Sequence, residues 1–368
     1  MMLKDLEGRK DRIIMHVDFD YFFAQCEEIK DPTLKNKPVI VCIYSDRGSG
    51  AVSSSNYIAR SLGVKAGMPI LQAKRIVKEG IFLKADLEFY EEKSKRIMSI
   101  IRKFGDKFEE FSIDEAFLDV SKLTQLNYDK ALSLAKDMKK EIYEKEGITC
   151  SVGIGPNKLI AKMASDYRKP NGLTVVKPNE VKDFLFPLPI GKLYGVGKKT
   201  EERFLSLGIK TIGDLAKYPL DNLISIFGKK LGTYFYLAAN GIDHEEVINK
   251  ESKEISRITT LKDNTLDFNE ISKVLEELVK DVYSKMVKQG LACKSIGLLA
   301  IMENLKTHSK SKTLDNPTNN FEFINKLSKE LLEEFLSYDW DVKVRRIGFK
   351  VFGLTDLKGQ RLLTQYIK

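Results

Sequence analysis

Along the first half of the chain, apolar residues fall into short alternating or continuous runs separated by stretches of helical period, the pattern of a mixed α/β layer. From Ile13 to Asp20 they alternate, with Ile13, Met15, Val17 and Phe19 on one strand face and Ile14, His16, Asp18 and Asp20 on the other. The strand therefore ends acidic. "KPVIVCIY" (37–44) predicts a second, buried strand, and "GSGAVSSSNYIARSLGV" predicts a turn through glycines and serines into a short helix carrying Tyr57 and Arg60. A helix is expected over 90–104, then the strand-like "FSIDEAFLDV" (111–120), then a helix in which Ala131, Leu134, Ala135, Met138 and Ile142 keep i, i+3, i+4 spacing. "ITCSVGIG" (148–155), "NKLIAKMASDYR" and "GLTVV" complete the layer near Val176 as strand, helix and strand. The simplest packing is a single sheet with helices on one face.

Beyond Val176 the pattern changes to short helices separated by glycines, which predicts a small helical domain from about Lys177 to Asp243. "HEEVINKESKEI" (244–255), strongly charged with almost no large apolar residues, predicts a tether. Strand, helix, strand, helix, strand follow from Ser256 in "SRITTL", "EISKVLEELVKDVYSKMVKQ", "CKSIGLLAIMEN", "FEFINKLSKELLEEFL" and "VRRIGFKVFGL", a further α+β unit. Several units suit a chain of 368 residues, more than one ordinary core holds.

Asp114 and Glu115 stand side by side where the pattern otherwise reads as a buried strand. Successive strand residues point to opposite faces, so the two carboxylates serve one site only if the strand breaks there. "KFEEFS" and "AFLDV" are both strand-like, and "IDE" between them can be the tight connection of a hairpin. If the Asp18 strand lies beside it, three carboxylates converge. Such crowding is costly unless divalent cations neutralise it, and hard oxygen ligands suit Mg²⁺ or Mn²⁺. From spacing alone, however, an acidic pair in a loop is ordinarily a solvated turn.

Charge adds a direction. Lys+Arg 61 against Asp+Glu 52 gives a formal net charge of +9, which favours a polyanionic partner such as nucleic acid. The four cysteines, Cys26, Cys42, Cys150 and Cys293, are far apart and form no CxxC pair, so neither a disulfide framework nor a structural zinc site is suggested. The N-terminal stretch has no apolar run of signal-peptide length and no segment approaches a membrane span, so a soluble, cytoplasmic protein without a membrane partner is expected.

Several motifs occur together. "HVDFDYFFAQCEE", "AVSSSNYIARSLGVKAGMP", "FSIDEAFLDV", "SVGIGPNKLIAKMASDYRKPNG" and "LYGVGKKTEERFLSLGIKT" stand in an order and spacing that resembles the Y-family DNA polymerases of the DinB group. The resemblance runs from about Ile14 to Leu354 and is densest through Ile212. It implies an α+β multidomain right hand: a ferredoxin-like palm (1–21 and 87–176), small fingers (22–86), a helical thumb with a helix-hairpin-helix (177–243), a linker (244–255), an α/β little finger (256–357) and a C-terminal tail (358–368). It implies that Asp18, Asp114 and Glu115 are catalytic and, with the backbone carbonyl of Phe19, hold two Mg²⁺ ions for which Mn²⁺ can substitute. In that scheme the primer 3′-hydroxyl attacks the α-phosphate and pyrophosphate leaves. Asp20 shares the face of Asp18 but is no ligand in the family pattern, which leaves it beside the site or on the surface.

The resemblance also makes Phe23 a steric gate against the ribose 2′-hydroxyl, and Phe22, Tyr57, Arg60 and Lys169 contacts to the nucleotide. As plain residues, the two phenylalanines are ordinary core aromatics, and Tyr57 with Arg60 an ordinary helix pair. Gly195 and Gly197, with Lys198 and Lys199, read as a hairpin whose bare amides approach a DNA phosphate. In "LKTHSKSKT", Lys306, His308, Lys310 and Lys312 share a strand face, where a phosphate backbone would relieve their repulsion, although a solvated edge has the same pattern.

The function expected is low-fidelity, template-directed translesion synthesis without a proofreading exonuclease, acting as a monomer on primer-template DNA and dNTPs. Two other readings remain: a palm-type nucleotide cyclase, which shares the paired carboxylates, and a catalytically inactive DNA-binding protein, which should have lost one of them. In the tail, Gln360, Leu362, Leu363 and Tyr366 loosely approximate a sliding-clamp peptide.

Overall fold

A computed structural model describes residues 11–44, 50–248 and 253–356. The tail residues proposed for a clamp lie outside the described residues. Two units are built from separate cores, one drawing on residues 11–43 and 51–248, the other on 253–356.

The first unit opens with β1 (Ile14–Phe19), α1 (Phe22–Lys30), β2 (Val39–Tyr44), β3 (Gly50–Ser55), α2 (Tyr57–Ser61), α3 (Ile70–Ile76) and β4 (Ile81–Lys84). It continues with α4 (Leu87–Ile101), β5 (Lys107–Glu110), β6 (Glu115–Asp119), α5 (Tyr128–Glu146), β7 (Cys150–Gly155), α6 (Lys158–Tyr167) and β8 (Leu173–Val175). Instead of the single sheet expected, there are two: a five-stranded sheet in the order β5-β6-β1-β7-β8, and a three-stranded sheet, β3-β2-β4. The difference traces to "GSGAVSSS", read as a turn because glycine and serine are poor strand formers. Tertiary pairing makes it β3: Val52 N–H donates to Met68 O at 2.8 Å and Gly67 N–H to Val52 O at 2.8 Å.

Helices also cover both faces of the larger sheet rather than one. Met15, Val17 and Phe19 pack with Ala131, Ala135, Met138 and Ile142 of α5 and with Ile97 and Ile101 of α4. The other face of β1, polar enough to read as solvated, lies under α6, where Ile14 and Phe117 meet Ala161. Gly153 permits that approach, since a Cβ there would lie 2.0 Å from Ala161 O. The helix expected over 90–104 starts earlier, because Asp86 caps it by accepting the Phe89 N–H at 3.3 Å.

Four helices follow: α7 (Val181–Leu185), α8 (Lys198–Ser206), α9 (Ile212–Ala216) and α10 (Leu220–Ala239), the helical region expected there. The first part of the expected tether is not free. Val247 is buried against Ile14 and Phe117, and Lys158 Nζ lies 3.2 Å from Glu245 and 2.8 Å from the buried Glu109. Arg12, which donates to Glu245 O at 3.0 Å, and Lys107, 3.0 Å from Glu246, add to this hold, and none of these remote partners is visible in a charged run.

The second unit holds β9 (Glu254–Thr265), α11 (Phe268–Lys288), β10 (Leu291–Met302), β11 (Thr307–Thr318), α12 (Phe321–Leu336) and β12 (Val344–Asp356). Its sheet runs β11-β10-β12-β9, all antiparallel. Ile296, Leu298, Ala300, Ile347, Phe349 and Val351 face α11 and α12 in one core. The opposite face carries Ser256, Gly297, Leu299, Ser309, Arg346 and Lys350, by the pairing of Leu299 with Ser309 and Gly348 and of Gly297 with Ser311 and Lys350. No helix of this unit's described residues covers it. Among the described residues of the whole chain, no helix is long and apolar enough to cross a membrane. All four cysteines are free and buried.

Candidate active site

β5 and β6 form the hairpin expected, with the Phe111 and Ser112 N–H groups both donating to Glu115 O, at 3.0 and 3.1 Å. The break puts Asp114 in the loop and Glu115 at the first strand position. β1 lies beside β6 with Asp18 opposite Glu115, and Phe19 N–H donates to Asp114 O at 2.9 Å. All three carboxylates thus line one cavity of about 280 Å³, together with Phe19, Phe22, Phe23, Tyr57, Arg60 and Lys169.

Each carboxylate has a local partner. Lys169 Nζ is 2.7 Å from Asp18 Oδ2, Lys162 Nζ is 2.8 Å from Glu115 Oε1, and Ser112 Oγ donates to Asp114 Oδ1 at 2.7 Å. Among the described residues no three acidic, histidine or cysteine side chains stand grouped at metal-holding distance. The donor set still suits a hard divalent cation, being all oxygen and densely anionic. Burial pushes the Asp18 carboxyl up to about 8, against the pull of Lys169, and burial likewise raises Asp114. Both shifts come first from burial, which disfavours the charged carboxylate.

Glu115 goes the other way. Burial acts to raise it, yet it is held below the ordinary carboxylate range by the groups around it. His16 is not the cation responsible: burial pushes its imidazole down to about 4, and its Nε2 is 3.8 Å from Glu115, beyond hydrogen-bond reach. Lys162 is, and it sits 5.5 Å from the Phe111 ring centroid and 5.4 Å from that of Tyr194. His16 Nδ1 pairs with Ser165 Oγ at 2.7 Å, tying β1 to α6.

Asp20 is 1% exposed, so the surface alternative for it is wrong. It accepts from Ser151 Oγ at 2.7 Å and from the Asn171 N–H at 2.9 Å, and so fixes the loop that carries Lys169. Phe23 stacks on Tyr90 with ring centroids 4.4 Å apart, whereas Phe22 is almost wholly buried and packs edge-on to Phe19 at 5.2 Å. Arg60 lies 5.0 Å over the Tyr57 ring and donates Nε–H to Ser55 O at 2.8 Å. The Tyr57 hydroxyl is buried with no hydrogen-bond partner, an orphan that a ligand oxygen in the cavity would satisfy. Sequence reasoning missed Tyr21, Ser53 and Ser54, which line the same cavity. Tyr21 adopts φ 37°, and that left-handed turn redirects the chain from β1 into α1. Its place in "DFDYFF", two residues before Phe23, was the available signal.

Away from this cavity, Gly195 has φ +86° and Gly197 caps α8, with open space around the Gly197 Cα and exposed Lys198 and Lys199 following. Lys310 and Lys312 differ from expectation. They extend on the core side of β11, where Lys310 pairs with Glu334 at 2.6 Å and Lys312 with Glu330 at 3.4 Å, both on α12. Lys306 precedes the strand in an exposed turn. The basic residues on the helix-free face are Arg346, whose Nε has no partner, and Lys350.

Three family models match: the impB/mucB/samB family over residues 17–166, the C-terminal domain of that family over 252–363, and the DNA polymerase-iota thumb domain over 191–243. DNA polymerase IV of Nitrosopumilus maritimus is 44% identical, over 96% of this chain and 99% of its own. DNA polymerase IV of Saccharolobus solfataricus is 41% identical, over 92% and 95%. Among solved structures, a Y-family DNA polymerase chimera of Dbh and Dpo4 matches with TM-score 0.87 and 41% identity, over 94% of this chain and 99% of that one. An insertion ternary complex of Dbh DNA polymerase matches with TM-score 0.73 and 40% identity, over the same shares. With these motifs, this hairpin and relatives matched along nearly their whole length, the chain belongs to the DNA polymerase IV group of the Y-family DNA polymerases.

Proposed function

We infer that the protein is a DNA-directed DNA polymerase that extends a primed template from deoxynucleotides and performs translesion synthesis at low fidelity. Family membership removes the cyclase reading, and relatives that are polymerases remove the inactive one. One observation carries the chemistry: the acidic hairpin and the phosphate-seeking side chains Tyr57, Arg60 and Lys169 open on the same cavity.

Dependence on a divalent metal follows from the family. The finer reading is that Asp18, Asp114, Glu115 and the Phe19 carbonyl hold two Mg²⁺ ions, with Mn²⁺ able to replace them. Bound there, such cations supply positive charge for the primer hydroxyl and the departing phosphates. This chain's own residues do the rest. Tyr57, Arg60 and Lys169 orient the triphosphate, Phe23 lies under the sugar, and Lys162 holds Glu115 ionised and in place. Gly195, Gly197, Lys198 and Lys199 grip the duplex through its phosphates, in a thumb spanning 177–243 between a palm with fingers (1–176) and a little finger (256–357). A monomer in the cytoplasm, with the tail engaging a sliding clamp, completes the proposal.

Primer extension with Mg²⁺ tests it. Asp114→Ala and Glu115→Ala should each lower extension by about two orders of magnitude or more, the cost of losing charge stabilisation in a transition state, with DNA affinity nearly unchanged. Near-normal extension by both variants overturns the assignment.

A further inference from the structure

Lys169 is the one cationic side chain of the cavity that also grips a carboxylate proposed for the metals. Its ammonium lies 2.7 Å from Asp18 Oδ2 and 2.7 Å from Asp166 Oδ1. The two partners differ in setting: the Asp18 side chain is 9% exposed and faces the cavity, whereas that of Asp166 is 54% exposed. We propose that Lys169 makes cation binding at Asp18 conditional on the nucleotide, holding that carboxylate until a triphosphate draws the ammonium away. The proposal rests on the polymerase reading above.

The physical case has three parts. An ammonium in contact with Asp18 repels any second cation at that carboxylate, so the two compete for it. A triphosphate entering the cavity meets Arg60 and the unpartnered Tyr57 hydroxyl and offers Lys169 a partner of higher charge than Asp18. Asp166, three residues away on the same turn, keeps one ion pair with Lys169, so the side chain can leave Asp18 without becoming an unpaired charge. Only the side chain needs to move, because Asp20 pins the following backbone through the Asn171 N–H. Lys162 is the contrast. It grips Glu115 from outside the cavity wall, between Phe111 and Tyr194, where a nucleotide does not reach it. Its hold orients Glu115 and is not exchanged.

Competition of this kind is a coupling between two sites, and ordinary couplings span about 5- to 150-fold in affinity. The test titrates Mn²⁺ into the full-length protein without nucleotide or DNA, following free Mn²⁺ by its electron paramagnetic resonance signal. Lys169→Gln should bind Mn²⁺ about tenfold more tightly than the unaltered protein. Adding Asp18→Asn to that variant should abolish the gain, which locates it. Lys169→Arg keeps the charge and should keep the original affinity. Unchanged Mn²⁺ affinity in Lys169→Gln, or an equal gain in Lys169→Arg, overturns the proposal. Failure of the underlying reading looks different: Asp18→Asn alone would then extend primers normally, whatever the Mn²⁺ titration gives. If Asp18→Asn abolishes extension while Lys169→Gln leaves Mn²⁺ affinity alone, the polymerase site stands and only the conditional step falls.

Discussion

Phe23 and Tyr90 stand nearly parallel, 18° apart in plane, and the Tyr90 hydroxyl donates to the buried Glu27 at 2.6 Å. A ring that is to exclude a single hydroxyl must not yield, and here it is backed by a second ring whose own position is fixed by a charge-assisted hydrogen bond. Phe23→Ala removes the wall, so ribonucleotide incorporation should rise far more than deoxynucleotide use changes, because the rejection is steric. Single-nucleotide insertion with matched rNTP and dNTP checks it, and an unchanged ratio places the gate elsewhere. Tyr90→Phe keeps the stack and removes the hydroxyl, leaving Glu27 short of a donor in a buried place. That should cost about 1 to 3 kcal/mol in denaturant unfolding, against no loss if solvent reaches Glu27 freely. Phe23 was legible because it sits inside a motif with a fixed neighbourhood. Tyr90 was not, because its partner is remote in sequence and an aromatic in a helix reads as core. Lys162 was hidden for the same reason: only the fold brings α6 over the acidic hairpin.

β1 and β7 meet α6 across a face that the alternation of Ile14, His16, Asp18 and Asp20 marks as polar. The elements themselves were largely readable, since α6 begins at the Asn157 cap and α12 spans Phe321–Leu336 as its period implies. What periodicity omits is coverage. A polar strand face is solvated by default, and the sign that it is not lies in Gly153, where the missing side chain lets a helix backbone approach. A Cβ on Gly153 would stand 2.0 Å from Ala161 O and 2.3 Å from Ser165 N, both backbone atoms that cannot rotate aside. Gly153→Ala must therefore lift α6, which carries Lys162 and leads into Lys169. We expect a loss of about 1 to 3 kcal/mol in stability, the usual cost of overpacking, with a fall in primer extension beyond what the lost folded fraction explains. Wild-type melting behaviour would mean that α6 can shift at no cost. The strand β3 shows the opposite omission, because glycine and serine carry little strand propensity and only pairing with neighbours defines it.

Across the whole molecule a net charge of +9 states that a polyanion is favoured without stating where it sits. The spacing of Lys306, Lys310 and Lys312 suggested one place, since period two puts them on one strand face. The fold gives that face to the core side of the sheet: Lys310 and Lys312 wrap the edge and meet Glu334 and Glu330 of α12. A period in sequence says which residues share a face and not which face a helix covers. The helix-free face instead presents Arg346 and Lys350 around Gly297 and Gly348, with hydroxyls at Ser256, Ser309 and Ser311, a flat surface of donors suited to phosphate oxygens. Lys350 has a competing partner, Glu254 at 3.2 Å, but an ion pair this exposed is weak and yields to a phosphate. Each phosphate neutralised releases condensed counterions and contributes about −0.9 to the slope of log K against log salt on duplex DNA. Arg346→Ala with Lys350→Ala should therefore flatten that slope by roughly 2, with similar loss on every template sequence, because phosphates carry no base identity. Lys310→Ala with Lys312→Ala should change it by less than about 1, since those side chains extend toward the side of the sheet that α12 covers. Titrating both double variants with labelled primer-template at several salt concentrations decides between the two faces: a large change in the second pair with none in the first would return the DNA to the β11 edge.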